Sequence, residues 1–322
     1  MHSSNRSARY SLALGSIMLF VLCSCLESDN DPFIPGTFSE TVAPLSGANS
    51  QYDDYNSAAT PTLVHLGFPF SFSSNRATQG GTFDIENFEV KVHWDQRSGA
   101  VSLNAEDNSS SSPWPDWSSA SNEFGPFHIE SVGTPRLYLF ASDRNGNLDI
   151  FHAEAYGTEQ PSVALNSVAD DAYPSLGQDN SFYFSSNRSG NYDIFSAPVP
   201  TGQSIKTFLE TAGATPAPVN AVNSGADDKA PYINGKLMVF ASNRPGGHGG
   251  YDLWYSIQGG GGWSQPVNFG ANINTASDEF RPVVLVSDPV DFTNDLMIFS
   301  SDRPGGLGGF DLYFVGIPRL TQ

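Results

Sequence analysis

The chain has almost no cysteine: two in 322 residues, Cys23 and Cys25, both near the N-terminus. A disulfide framework or a cysteine-ligated zinc site is therefore excluded for everything downstream. Basic residues are scarce as well. Fifteen Lys and Arg stand against 34 Asp and Glu, for a formal net charge of −19. Such a surface repels phosphate backbones, which excludes a nucleic-acid partner and favours basic partners or divalent cations. The apolar run Leu12 to Leu22 is too short to cross a bilayer. No GxSxG, HExxH or Cys-His nucleophile pattern occurs, and the histidines, including His65, His93, His128, His152 and His248, are scattered without ligand spacing. Charged residues are only 15% of the chain and aromatics 12%, so there is ample apolar surface for a folded core.

What is abundant is repetition. One phrase, aromatic-Ser/Ala-Ser-Asn/Asp-Arg, then a Gly-rich turn, then Asp-apolar-aromatic, occurs five times. The copies run Phe72 to Ile85, Phe140 to Phe151, Phe184 to Phe195, Phe240 to Trp254 and Phe299 to Tyr313. In the third copy Ser181 to Ser185 alternates apolar and polar residues, Asn187 to Asn191 supplies a turn, and Asp193 to Val199 returns, which reads as a β-hairpin. Ahead of each hairpin lies a second element, Asn followed by carboxylates and then Pro: Asn122-Glu123 with Pro126, Asp170-Asp171 with Pro174, Asp227-Asp228 with Pro231, and Asp278-Glu279 with Pro282. The first copy lacks that Pro spacing. Pro is tolerated at a strand start, so these elements open the first strand of each unit.

Units of short strands at a period of roughly 40 to 60 residues predict an all-β fold, a single β-propeller of five four-stranded blades. Six blades is the alternative, because the interval between Arg76 and Arg144 is long. That interval holds an expected insertion, Asp95 to Ser121, containing Trp114 and Trp117. The fifth copy ends too close to the C-terminus to supply its own outer strand, and Thr37 to Pro44 precedes the first copy. The N-terminal segment is therefore expected to complete the last blade and remove an open edge.

The combined pattern resembles the WD40-like β-propeller repeat family of TolB-type propellers, over about residues 37 to 317. The resemblance implies the fold and leaves function open, because such propellers serve many roles. Leu22 and Ser24 before Cys25 resemble the lipobox of bacterial lipoproteins, after a basic n-region of Arg6 and Arg9. That resemblance implies a signal peptide over 1–24, lipid on Cys25, a linker over 25–36 and the propeller over 37–322. It also implies an outer membrane address, periplasmic or surface-exposed, since Leu26 rather than Asp follows Cys25. Glu27, Asp29 and Asp31 resemble an export signal to the cell surface.

Recurrence at symmetric positions is what a structural role predicts. Asp149, Asp193, Asp252 and Asp311 are expected to accept turn amides and to pair with Arg144, Arg188, Arg244 and Arg303; Arg76 and Asp84 hold the equivalent places in the first copy. Glu123, Asp170, Asp171, Asp227, Asp228, Asp278 and Glu279 are expected around one channel mouth, capping turns or forming a cation or basic-peptide site. Asp143, Asn145, Asn147 and Asp149 have the opening spacing of a calcium loop without its distal Glu; calcium is the one metal this spacing raises, and no other cofactor or metal is expected. Trp114 and Trp117, near Trp94, form a candidate platform for a sugar or peptide. The acids sit at equivalent positions with no distinctive single-blade acid. The expectation is accordingly a non-enzymatic, lipid-anchored envelope module that binds or scaffolds protein or glycan, with a carbohydrate-active enzyme of five-bladed type as the alternative.

Overall fold

The computed structural model describes residues 33–63, 66–108, 119–130, 135–155 and 157–320. These form five blades of antiparallel strands, blade five adding a short parallel strand, Thr62–Leu63, along its inner strand, so the alternative of six falls. Blade one comprises Asp54–Ala59, Gly67–Ser74, Asp84–Trp94 and Val101–Asp107. Blade two comprises Glu123–Ile129, Leu137–Ser142, Asp149–Glu154 and Gln160–Pro161. Blade three comprises Asp171–Leu176, Ser181–Ser186, Asp193–Pro198 and Ala217–Pro218. Blade four comprises Asp228–Asn234, Leu237–Ser242, Asp252–Gly259 and the two short outer strands Gly262–Trp263 and Val267–Asn268. Blade five comprises Glu279–Ser287, Asp295–Ser301 and Asp311–Ile317, completed by Ala43–Pro44.

Neighbouring blades cover both faces of each second strand, which explains why Leu137–Ser142, Ser181–Ser186 and Leu237–Ser242 are buried at every position. Their sequences are correspondingly apolar or small throughout. The ring closes where the N-terminal segment meets the last blade, with Ala43 opposite Phe314 and Pro44 opposite Tyr313. Asn294 clasps the same segment, its carbonyl oxygen accepting from the Phe38 amide and its Nδ2 donating to the Phe38 carbonyl, both at 2.9 Å.

The stretch expected as an insertion, Asp95 to Ser121, is in part a regular strand. Val101–Asp107 alternates inward Leu103 and Ala105 with polar residues and pairs along Asp84–Trp94 as the outer strand of blade one. Trp114 and Trp117 lie outside the described residues. Trp94 packs against Phe33 and Phe292, each at 5.2 Å, and its indole N–H donates to the Ile34 carbonyl at 3.1 Å.

Each inner strand carries a bulge two residues after its opening carboxylate, with a left-handed residue there: Asn56, Gly125, Tyr173, Ala230 and Arg281. Four of the five are not glycine, and each such residue costs roughly 1–2 kcal/mol. Because the feature recurs in every blade, it belongs to the architecture of the axis and carries no chemistry by itself.

Candidate functional site at the axial mouth

Each repeat phrase builds a latch, but its arginine does not pair with the hairpin aspartate as expected. Arg76, Arg144, Arg188, Arg244 and Arg303 pair instead with Asp54, Glu123, Asp171, Asp228 and Glu279, the carboxylates that open the inner strands. All five of these carboxylates are fully buried. The physical reason is demand. A buried charge needs a countercharge, whereas the hairpin aspartates are served by their own turns. Asp252 accepts the His248 amide at 2.6 Å, Asp311 accepts the Leu307 amide at 2.7 Å, Asp193 accepts the Ser189 hydroxyl at 2.7 Å, and Asp149 accepts the side-chain amides of Asn145 and Asn147. Asp84 stands at the same register position in blade one, opposite Ser74. Each guanidinium also lies between two aromatic rings of its own blade, as Arg244 does at 5.2 Å from Phe240 and 5.1 Å from Trp254.

Glu123, Asp171, Asp228 and Glu279 therefore face into the blades and form no ring at the mouth. Burial pushes the Glu123 and Glu279 carboxyls up, against the pull of their hydroxyl and arginine partners. Neither is exposed, so neither reaches a substrate while the latch is closed.

The residue before each latch carboxylate behaves differently. Asp170, Asp227 and Asp278 use Oδ1 to accept a backbone amide from the preceding blade, from Leu148, Tyr192 and Tyr251, at 3.0, 3.0 and 2.7 Å. Asp53 and Asn122 do the same for Phe310 and Phe83. These five contacts staple successive blades. The Oδ2 atoms of the three aspartates differ in what they accept. That of Asp170 accepts the Tyr192 hydroxyl at 2.8 Å and the Asn187 side-chain amide at 3.0 Å, that of Asp227 accepts the Tyr251 hydroxyl at 2.7 Å, and that of Asp278 accepts no hydrogen bond from the described residues.

Lys229 sits at the centre of this arc. Its Nζ lies 3.6 Å from Asp227 Oδ2, 3.9 Å from the centre of the Tyr192 ring and 5.1 Å from that of Tyr251. Burial pulls the ammonium below its ordinary pKa despite the opposing fields of Asp227, Asp170 and Asp278. For Asp227, burial pushes the carboxyl up but the Tyr251 hydroxyl, the Tyr192 amide and Lys229 outweigh it, so the carboxylate is held below its usual range. Burial and the adjacent aspartates push the Tyr192 and Tyr251 hydroxyls far up, so both remain donors at any physiological pH.

Across the axis the mouth is aromatic. Tyr55 stands 5.0 Å from Phe83, 5.8 Å from Phe124 and 5.4 Å from Phe310, all four rings half-buried. The mouth thus pairs an apolar, ring-lined half with a charged half contributed by blades three, four and five. Beside Asp227 an open depression of about 650 Å³ runs between Asn191 and Asn243.

The other end of the axis offers a cavity of about 590 Å³ lined by Phe68, Phe127, Ile129, Tyr232 and Ile233. Its one carboxylate, Glu130, is engaged by Arg136, and burial holds the His128 imidazole down at about 4. Two-carboxylate chemistry has no basis there among the described residues. Nor does a calcium loop form: the Asp143 oxygens are taken by the Asn122 backbone and side-chain amides, and the Asp149 oxygens by Asn145 and Asn147. Among the described residues no group of three or more His, Cys, Asp or Glu is placed to hold a metal ion.

No family model matches the chain and no curated protein is similar to it in sequence. Among solved structures it is similar to a thermostable family-43 glycoside hydrolase, at 12% identity and a TM-score of 0.53, over 85% of this chain and 91% of that one. It is also similar to an endo-arabinase from Bacteroides thetaiotaomicron, at 13% identity and a TM-score of 0.52, over 86% of this chain and 97% of that one. A third glycoside hydrolase matches at 8% identity and a TM-score of 0.53, over 88% and 94%. The protein is thus a five-bladed β-propeller, and these three solved structures of similar fold are glycoside hydrolases rather than WD40-like or TolB-type propellers. That finding overturns the expectation of a non-enzymatic scaffold. At these identities the likeness shows the fold, and the chemistry must be read from this chain's own residues.

Sequence reasoning placed Asp170, Asp227 and Asp278 at a mouth but missed Lys229, Tyr192, Tyr251 and the aromatic half. A signal for them was present. Lys229 stands where the other copies have Tyr55, Phe124, Ala172 and Phe280, and Phe83, Leu148, Tyr192, Tyr251 and Phe310 each put an apolar body directly before the hairpin aspartate.

Proposed function

We propose that the protein is a carbohydrate-active enzyme that holds a glycan across this mouth and hydrolyses a glycosidic bond beside Lys229. The observation that carries the reading is Lys229 paired with Asp227, within the electrostatic reach of Asp170 and Asp278 from the two neighbouring blades and opposite an aromatic wall. Glycoside hydrolysis needs two carboxyl groups flanking the scissile bond, one to protonate the departing oxygen and one to activate water or stabilise the oxocarbenium-like transition state. Asp227, held ionised, suits the second role. Asp278, with Oδ2 uncommitted among the described residues, suits the first. The faces of Tyr55, Phe83, Phe124 and Phe310 supply apolar surface for sugar rings, and Lys229 with the two tyrosine hydroxyls fixes the carboxylates.

Arabinan is the first substrate to test, because an endo-arabinase is among the structures of this fold. The purified protein is expected to release new reducing ends. Asp227→Asn and Asp278→Asn should each lower kcat by about 10²- to 10⁴-fold with the melting temperature preserved. Asp278→Asn alone should recover on an aryl glycoside, whose leaving group needs no proton. Full turnover in both variants, or no bond cleavage in arabinan and related plant-wall glycans, would refute the assignment. We further propose that the enzyme meets its glycan while anchored to the outer membrane through lipid on Cys25. Incorporation of a labelled fatty acid that persists in Cys25→Ser would overturn this.

A further inference from the structure

Arg281 reaches across the axis. Arg281 starts on blade five, and its Nη2 reaches toward the Pro126 carbonyl of blade two at 3.4 Å, while its guanidinium lies 5.6 Å from the centre of the Tyr173 ring on blade three. Room for this arrangement comes from Gly125 on blade two. A Cβ there would come within 2.5 Å of the Tyr173 ring.

Arg281 is 0% exposed, and its Nε and Nη1 have no hydrogen-bond partner among the described residues. Unlike the five latch arginines, it makes no ion pair with a described carboxylate. Asn56, at the equivalent position on the adjacent inner strand of blade one, is also fully buried, and its amide faces the Tyr173 hydroxyl, which lies within electrostatic range of the Arg281 guanidinium.

Burial lowers the guanidinium pKa only to about 10, so the charge is retained at neutral pH. Burial also keeps the Tyr173 phenol neutral, pushed up to about 12. The axis therefore holds a guanidinium charge with two free N–H nitrogens. An uncompensated buried charge is strongly destabilising. Water would satisfy the hydrogen bonds but leave the charge; an anion does both.

We propose that a small monovalent inorganic anion of chloride size is built into the propeller axis, held by Arg281 Nε and Nη1. Full burial of Arg281 disfavours a bulky anion such as gluconate, and because an anion here is read in density and in Tm rather than in turnover, its failure would leave the proposed hydrolase reading untouched.

Crystals of the full chain grown in sodium bromide test this directly. An anomalous peak in hydrogen-bond contact with Arg281 is expected. Axial density without anomalous signal would mean water and would overturn the proposal. A second measurement works in solution, at constant ionic strength, by titrating sodium chloride against sodium gluconate. A ligand that binds only the native state raises Tm with its concentration. Chloride is therefore expected to raise Tm where gluconate does not, and Arg281→Met should abolish the difference. Equal melting of the native protein in the two salts counts against the site. The bromide map decides the question even where the variant does not fold.

Discussion

Replacing Arg244 with methionine tests whether the blade latches are charge-compensation devices. Methionine keeps an apolar, polarisable body between Phe240 and Trp254 while removing the charge. Asp228, fully buried, is then left with only the Ser224 amide at 2.6 Å and the Ser224 hydroxyl at 2.9 Å. Breaking a buried ion pair by deleting one partner costs about 3–5 kcal/mol. The Val222 carbonyl, which accepts from Arg244 Nη2 at 2.5 Å, loses its donor at a further cost of about 1 kcal/mol. A total near 5 kcal/mol should be visible as a large drop in the urea midpoint, followed by fluorescence and far-UV circular dichroism together. The decisive variant is Arg244→Met with Asp228→Asn. With the stranded charge gone, it should recover about 2 kcal/mol or more relative to the sum of the single variants. Additive singles, or a cost below about 1 kcal/mol for Arg244→Met, would refute the reasoning. Exposure ranks the other latches: Arg303 at 13% should cost more than Arg144 at 23%, because solvent partly screens the latter.

Two further outcomes are expected. His128 is neutral in the folded state, with its pKa lowered to about 4 chiefly by burial against an ordinary 6.5. Between those values the unfolded chain binds the extra proton, so the stabilising contribution is present above pH 6.5 and lost as pH falls toward 4. About 2 kcal/mol should disappear between pH 7 and pH 5, and His128→Gln should flatten that limb of a Tm-against-pH curve; an unchanged slope would show that the imidazole is solvated. Asn294→Ala removes both hydrogen bonds that clasp Phe38, at an expected cost of about 2–3 kcal/mol. Limited proteolysis should then cut first between residues 33 and 46, and deletion of residues 37–46 should lower Tm in a single cooperative step. An unaltered melting curve would mean that blade five does not depend on the N-terminal strand.

The hairpins and the blade count were legible because each rests on local chemistry. Alternation in Ser181–Ser186, a Gly-containing turn and a returning Asp193–Pro198 are properties of adjacent residues, and five copies of them leave only a ring as the way to bury both faces of every second strand. Closure was legible for the same reason, since a blade missing a strand and a spare strand at the other terminus are both visible in one dimension. The insertion was misjudged because the polar half of Val101–Asp107 masks its inward Leu103 and Ala105.

Partner choice among charges was not legible. In every blade the latch serine lies opposite the inner-strand carboxylate on one side and the hairpin aspartate on the other, as Ser242 does with Asp228 and Asp252. Sequence spacing offers the arginine two acids without ranking them. Burial ranks them, and burial exists only once the neighbouring blade has packed. The same holds at the axis. Lys229, Asp170 and Asp278 come from three repeats, and Arg281 reaches Tyr173 more than one hundred positions away only because the ring has closed. The sequence by itself determined the unit, its strand order, the number of copies and the strand that closes them, all set by short-range pattern and turn chemistry. Only the tertiary structure decided which member of each acidic pair is neutralised in the latch and which is left at the mouth, because that division depends on solvent exclusion between blades.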